Sequence, residues 1–363
     1  MEKVDTIKLL VNNFIDNHLE LHKRLNEQNL NVEETFSVEL SNFDKWFTPA
    51  LENIGKHYFE NDFNKRLIVE LLKNDAFQKC VKESKYLKQS IDKPYGYAGD
   101  FQMMEIIYEN GYEGQTPFGK FYNKAITIVS SCDEVRHRRK FLKSQLLDSQ
   151  GDCLSVAAGP GREIIDAYAA GFTGSVTAID ADIDALRHFN KLKQPKLNAD
   201  YWIGNIFHLL KGKYTLVKPK NFHFNSANPN NDFSGWHSLF GLLLYKRTDF
   251  RKKKYDLIYS AGLLDYVTTF NDNFKKGSIG LTKLLFDQLK PGGKLIIGVM
   301  TTEMPKGQQF FMEAVCEWTI IFRDEAELRS FTQAIPDRQI DNIDTVKGYH
   351  GIQNYLIINK SSN

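Results

Sequence analysis

The sequence predicts an α/β fold: a doubly wound, Rossmann-like sheet preceded by an all-helical domain. Three observations predict it. Residues 1 to about 90 carry helical periodicity and no strands, whereas strand-like and helix-like stretches alternate from about 150 onward. A short apolar run, Cys153 to Ala158, breaks at Gly159 and Gly161 into a helical segment beginning near Arg162. A second apolar run, Val176 to Ile179, then stops on Asp180. Strand, glycine turn, helix, strand, acid is the order that wraps a nucleotide.

Taken in order, Ile7, Leu10, Val11, Phe14, Ile15 and Leu19 recur at helical spacing, and Leu67 to Leu72 repeats the pattern. His18 and His22 stand one helical turn apart. Without a third ligand they read as a solvated or half-buried helix face, and no metal is expected. The run from Lys93 to Asp100 breaks the periodicity with Pro94, Gly96 and Gly99 while crowding Tyr95, Tyr97 and Asp100 together. A loop with that much aromatic area suits something packing on it. Phe101 to Tyr108 is helical, Gly111 to Gly119 is a loop, and a helix from about Lys120 ends in the basic run Arg136 to Lys140. That run fits a solvated face or an anion site equally.

Beyond Asp180 a helix carries Ile183, Leu186 and Phe189, and Tyr201 to Asn205 reads as the end of a third strand. Residues 211 to about 254 read as an irregular insertion, a hairpin or a lid, with Arg251 to Lys254 solvated. Tyr255 to Ser260 is a fourth strand, and a helix stops at the Leu289 to Gly293 segment. Lys294 to Val299 is a fifth strand. Phe310 to Phe322 reads as an amphipathic helix, Asp324 to Phe331 as a short one, and Ile340–Val346 with Gln353–Lys360 as an edge hairpin. The expected domains are 1–148, helical, and 149–363.

Of 363 residues, 42% are hydrophobic, enough for a full core. A net charge of +2 points to neither nucleic acid nor an acidic partner. Cys80, Cys132, Cys153 and Cys316 show no paired or metal-type spacing, and Cys153 reads as an apolar filler. No stretch approaches a membrane span or a signal-peptide core, so a soluble cytoplasmic protein is expected. Oligomerisation stays open.

The turn itself discriminates between nucleotides. A dinucleotide turn wants a third glycine at 164, where this chain has Ile164, and Glu163 would repel phosphate. S-adenosylmethionine suits it better than NAD, although the turn alone leaves both open. With the later strands placed, four elements resemble class I S-adenosylmethionine-dependent methyltransferases. They are Leu154-Ser-Val-Ala-Ala-Gly-Pro-Gly, Val176-Thr-Ala-Ile-Asp180, Asp256-Leu-Ile-Tyr-Ser-Ala-Gly and Leu289-Lys-Pro-Gly-Gly-Lys-Leu. The resemblance implies a seven-stranded methyltransferase sheet. A narrower one rests on Lys93 to Asp100 with Met103-Met104, on Val135-Arg136, on Leu263 to Tyr266 and on Met312 to Arg323. These segments look like the bacterial methyltransferases associated with 3-hydroxypalmitic acid methyl ester biosynthesis, which are thought to methylate a hydroxy fatty acid carboxyl. The insertion and Asn205, where many relatives place an acid, depart from that pattern.

On this reading Gly159 and Gly161 line the methionyl end, Asp180 holds the ribose, and Asn205 with Ile206 meets the adenine. Tyr95, Ala158, Ala181, Ser260 and Ala261 complete the expected cofactor set. Tyr97, Asp100, Tyr266 and Arg136 are the expected catalytic residues, with Trp318 as a pocket wall. His137 and His208 read as structural rather than as bases. A small-molecule carboxylate, of a 3-hydroxy fatty acid or an amino-acid-like acceptor, needs no base but needs a cation, from Arg136, Arg138 or Arg323. An amine would need Asp100, Asp265 or Glu303 instead. A non-enzymatic cofactor-binding regulator is the reading from outside enzymology.

Overall fold

The structure, a computed structural model, describes residues 2–27, 31–193, 197–219, 245–269 and 277–362. The chain divides into two compact units: residues 1–136 with 303–320, and residues 137–302 with 321–363. Residues 220–244 of the expected insertion lie outside the described residues.

The first unit is helical: α1 (Glu2–Glu27), α2 (Val32–Tyr58), α3 (Asp62–Leu72), α4 (Asp75–Val81), α5 (Lys85–Asp92), α6 (Phe101–Glu109), α7 (Pro117–Thr127) and the start of α8 (Ser130–Ser149). Its helices start where the sequence supplies a capping oxygen. Asn61, Asn74, Asp100 and Thr116 accept the N–H three residues on, at 2.8–3.0 Å. Each such cap contributes about 1 kcal/mol. Helices α1 and α2 bury their apolar stripes on a core in which Phe14, Phe43, Phe47, Phe77 and Tyr122 surround His18. His18 is therefore no solvated helix face. It is fully buried, its Nδ1–H donating to the Phe14 carbonyl at 2.7 Å and its Nε2, in the neutral ring, accepting from the Tyr122 hydroxyl at 2.9 Å.

The segment 303–320 also belongs to this unit. Its α13 (Lys306–Phe310) approaches α2 so closely that a Cβ on Gly55 would lie 2.9 Å from the Lys306 carbonyl oxygen. The expected amphipathic helix over 310–322 does not form as one piece. Phe311–Val315 is a π turn, and regular structure ends there.

The second unit is built on a sheet of nine strands among the described residues, ordered β5-β4-β3-β2-β1-β6-β7-β9-β8. The strands are β1 (Asp152–Val156), β2 (Ser175–Asp180), β3 (Ala199–Ile203), β4 (Thr215–Pro219), β5 (Tyr245–Asp249), β6 (Tyr255–Ala261), β7 (Leu289–Met300), β8 (Ile340–Lys347) and β9 (Gln353–Lys360). The central five are parallel and the four outer ones antiparallel to their inner neighbours. Helices α9 (Arg162–Ala169), α10 (Ile183–Leu192), α11 (Ile206–Leu210), α12 (Gly277–Phe286) and α14 (Glu325–Ser330) complete the unit. The expected count of seven strands is corrected by β4 and β5. Both ends of the expected irregular insertion are strands, and they pair with each other.

A second correction concerns Leu289 to Gly293. The helix before it already ends at Phe286, and Leu289 opens β7 by pairing with Tyr255. Pro291 and Gly292 (φ 73°) then make an irregularity inside the strand, because proline lacks a ladder donor and glycine tolerates the left-handed bend.

Burial lowers the His18 pKa from 6.5 to about 4, the Phe14 hydrogen bond opposing it. A folded-state pKa below the unfolded one means the unfolded chain binds the proton first. This stability is complete above pH 6.5 and drains away as pH falls toward 4. The full difference is about 3 kcal/mol. Denaturant titrations from pH 7 to 4 should show that loss in the parent chain and a shallower acid limb in His18→Gln; equal limbs would refute the assignment.

Candidate functional site

The site is assembled where β1, β2 and β6 end, beside the point at which the chain reverses direction across the sheet. Ligands in open α/β sheets lie outside such strand ends. From Val156 the backbone turns through three left-handed residues, Ala157 (φ 55°), Gly159 (φ 53°) and Gly161 (φ 60°). A Cβ on Gly161 would lie 2.7 Å from the Phe189 ring, so only glycine fits there. Nothing lies within 4 Å of a Cβ built on Gly159, which leaves its outer face open to a ligand. Ile164, at the third-glycine position, is wholly buried.

Asp180 fastens this turn. One carboxylate oxygen accepts the Gly159 N–H at 2.8 Å and the other accepts the Asp182 N–H at 3.0 Å. Ala158 N–H bonds the Ile179 carbonyl at 3.1 Å, and Tyr201 Oη donates to the Gly159 carbonyl at 2.7 Å. Asp182, not Asp180, caps α10. Burial raises the Asp180 pKa, against the backbone N–H groups that favour its charge. The Ala181 N–H and the Tyr201 hydroxyl favour its charge as well.

A cluster of charge stands close by in the same unit. Glu163, in the first turn of α9, is buried and accepts the Tyr259 hydroxyl at 2.9 Å. Burial raises its pKa, while Arg138 and Arg139 oppose the rise. Asp265, just past β6, is 3% exposed, accepts the Met300 N–H at 2.9 Å and is pushed up to about 6 by burial, with Arg138 and Arg323 opposing. Arg138 is buried, and its guanidinium lies 3.0 Å from where a Cβ on Gly262 would stand. Sequence reasoning did not single out this cluster. Arg138 and Asp265 stood in the sequence only as separate candidates for different acceptors, and nothing local joined them to Glu163.

The other expected residues take varied places. Ser260 is buried and donates to the Val156 carbonyl at 3.1 Å, with Ala261 next to it on β6. Ala158 is buried in the turn, and Ala181 is exposed just after Asp180. Asn205 caps α11 by accepting the Phe207 N–H at 2.9 Å, and Ile206 behind it is buried. Tyr266 is half exposed in a short 3₁₀ turn. Arg323 is fully buried, with Nη1 on the Leu264 carbonyl at 2.8 Å and Nη2 on that of Val267 at 2.5 Å. It holds the loop after β6 in shape. His137 stacks on Tyr349 at 3.8 Å, and His208 is exposed.

Tyr95, Tyr97, Asp100, Arg136 and Trp318 belong to the helical unit. Tyr95 packs on Phe101 and accepts from Gln102, and Tyr97 is 39% exposed. Asp100 is buried, capping α6 and accepting Gln89 Nε2 at 2.7 Å. Arg136 donates to the carbonyls of Thr127 at 2.7 Å and Ile107 at 3.1 Å and to Asp133. Trp318 packs at the edge of the helical core.

No family model matches the chain, and no curated protein does. Among solved structures it is similar to a "possible exported protein" from Bordetella parapertussis, at 12% identity over 90% of this chain and 97% of that one, TM-score 0.48. Magnesium protoporphyrin IX methyltransferase from Synechocystis PCC 6803, with bound S-adenosylhomocysteine, overlaps 64% of this chain and 89% of its own at 11% identity, TM-score 0.40. The N-methyltransferase NodS from Bradyrhizobium japonicum WM9 overlaps 64% and 99% at 13% identity, TM-score 0.37. Likenesses this distant carry no argument about chemistry, which rests on the chain's own residues.

Ala157 is the strained member of the turn. A left-handed alanine costs roughly 1–2 kcal/mol, partly offset by glycine's greater freedom when unfolded. Ala157→Gly should therefore stabilise the chain by about 0.5–1 kcal/mol in a denaturant titration. A loss of stability would show that the methyl group is needed for packing.

Proposed function

We propose that the chain is an S-adenosylmethionine-dependent methyltransferase acting on a small molecule. The observation that carries this reading is the turn Ala157–Gly161, tied by Asp180 and open at Gly159, with Ile164 filling the position a dinucleotide turn keeps as glycine. When bound, this cofactor supplies a methyl group already activated on a sulfonium. Asp180 accepts the ribose hydroxyls, and Asn205 with Ile206 borders the adenine.

Charge supports the orientation of the other end. Glu163 and Asp265 stand against Arg138, with Arg139 also near the first acid and Arg323 near the second, so the cluster offers acids that suit an ammonium and a guanidinium that suits a carboxylate. The cofactor carries a sulfonium and an ammonium against one carboxylate, a net positive charge. We assign its carboxylate to Arg138 and its ammonium to the two acids.

For the acceptor, O-methylation of a carboxylate, of a hydroxy fatty acid or an amino-acid-like molecule, is the first reading. Such a nucleophile needs alignment and a dry pocket rather than a base. The commitment of Arg136 and Arg323 to backbone carbonyls narrows the cations that could hold it. N-methylation of an amine is the second reading, in which Asp265, with its pKa pushed up to about 6, takes the amine's proton and leaves the cofactor's ammonium to Glu163 alone. A cytoplasmic setting belongs to the proposal.

Calorimetry should show binding of S-adenosylmethionine and none of NAD, and Asp180→Ala should weaken it by roughly 1.5–3 kcal/mol. Unchanged affinity in a folded Asp180→Ala would refute the site. Arg138→Gln should lower affinity for S-adenosylmethionine about 10- to 150-fold, the same energy range, while sparing 5′-methylthioadenosine, which lacks the amino-acid end. Equal losses for both ligands would make Arg138 a structural residue.

A further inference from the structure

Tyr259 is buried two residues short of the end of β6, and its hydroxyl donates to Glu163 Oε1 at 2.9 Å. Ser155, its register partner on β1, hydrogen-bonds the same phenol. Burial pushes that phenol well above its usual pKa, and the charge of Glu163 adds to the rise. The hydroxyl therefore keeps its proton and remains a donor throughout the neutral range.

Glu163 stands two residues beyond Gly161, in the first turn of α9, and is 6% exposed. Among the described residues no cation is hydrogen-bonded to it. Arg138 and Arg139 of α8 act on it through their charge alone, and Arg139 is already bound by both oxygens of Asp166. Cys153 of β1, which also acts on Tyr259, stays a neutral thiol because burial raises it to about 11. The bonds that make the buried carboxylate tolerable come from its own N–H and from Tyr259.

A tyrosine that only tacked α9 to β6 would be served as well by a neutral acceptor, at a lower desolvation cost. A buried carboxylate, oriented but short of a counter-charge, is instead what an ammonium group seeks. We propose that Tyr259 is the positioning residue that holds Glu163 for the ammonium of the cofactor, an inference that rests on the methyltransferase reading. Removing the hydroxyl takes away a bond that favours the charged carboxylate, so Glu163 then keeps its proton to higher pH.

Calorimetric titration of the whole chain with S-adenosylmethionine tests this from about pH 5.5 to 7.5, below the ordinary range of an α-amino group. Tyr259→Phe keeps the ring and loses only the oxygen. It should weaken S-adenosylmethionine about tenfold near the middle of that range and move the affinity curve to higher pH. Binding of 5′-methylthioadenosine, which lacks the amino group, should not change. Asp265, at about 6, titrates in both proteins, so the displacement between their curves belongs to Glu163. In a Glu163→Gln background, Tyr259→Phe should add nothing.

Thermal melts identify a variant that fails to fold. If Tyr259→Phe does, Glu163→Gln decides: a loss for S-adenosylmethionine alone supports the proposal, and undiminished affinity overturns it. Parallel curves in the parent and Tyr259→Phe, or equal losses for the two ligands, also overturn it while leaving the cofactor reading intact. Absence of binding by the parent sinks both.

Discussion

A single buried carboxylate organises the sheet unit's site. Asp180 terminates β2, yet its oxygens are spent on the N–H groups of Gly159 and Asp182, so the first turn and the entry to α10 are fixed by one side chain. Three successive departures into left-handed backbone are tolerable only because that anchor, the Ala158 bond to β2 and the Tyr201 bond to Gly159 over-determine the path. The protein thus holds the turn open before any ligand arrives. Such preorganisation reduces the ordering cost of binding.

Arginines in this chain illustrate how burial settles roles that charge alone leaves open. Arg136 and Arg323 look equivalent as cations for an anionic acceptor. In the structure both act as multi-pronged donors that knit carbonyls left over where helices and strands end. Arg139 pairs with Asp166 through two bonds of 2.7 and 2.8 Å. Arg138 instead stands near two buried acids whose pKa values burial raises.

The strand and glycine pattern made the parallel sheet legible, because Cys153–Ala158, Val176–Ile179 and Tyr255–Ser260 are short apolar runs bounded by turn residues. The edge hairpin, β8 with β9, was equally plain. The outer pair β4 and β5 was legible only as one of two alternatives, a hairpin or a lid, since Lys218, Lys246 and Arg247 give these strands a polar composition. His18 shows the same limit in a helix. Apart from Phe14 one turn back, the aromatic cage around it comes from α2, α4 and α7, far along the chain. Of the site, the glycines and Asp180 carry a local signature. The grouping of Arg138, Glu163 and Asp265 is a product of topology and has none.

The two outermost strands deserve a different reading, as boundaries. An uncapped sheet invites a neighbouring chain to extend its ladder. On one side β5 exposes Lys246 and Arg247; on the other, β8 exposes Asp341, Asn342 and Asp344. Two copies meeting along the same edge would place like charges side by side, which penalises pairing. Among the described residues the two edge strands differ in charge, β8 carrying Asp341 and Asp344 beside Lys347, so charge opposes a meeting of opposite edges less than one of like edges.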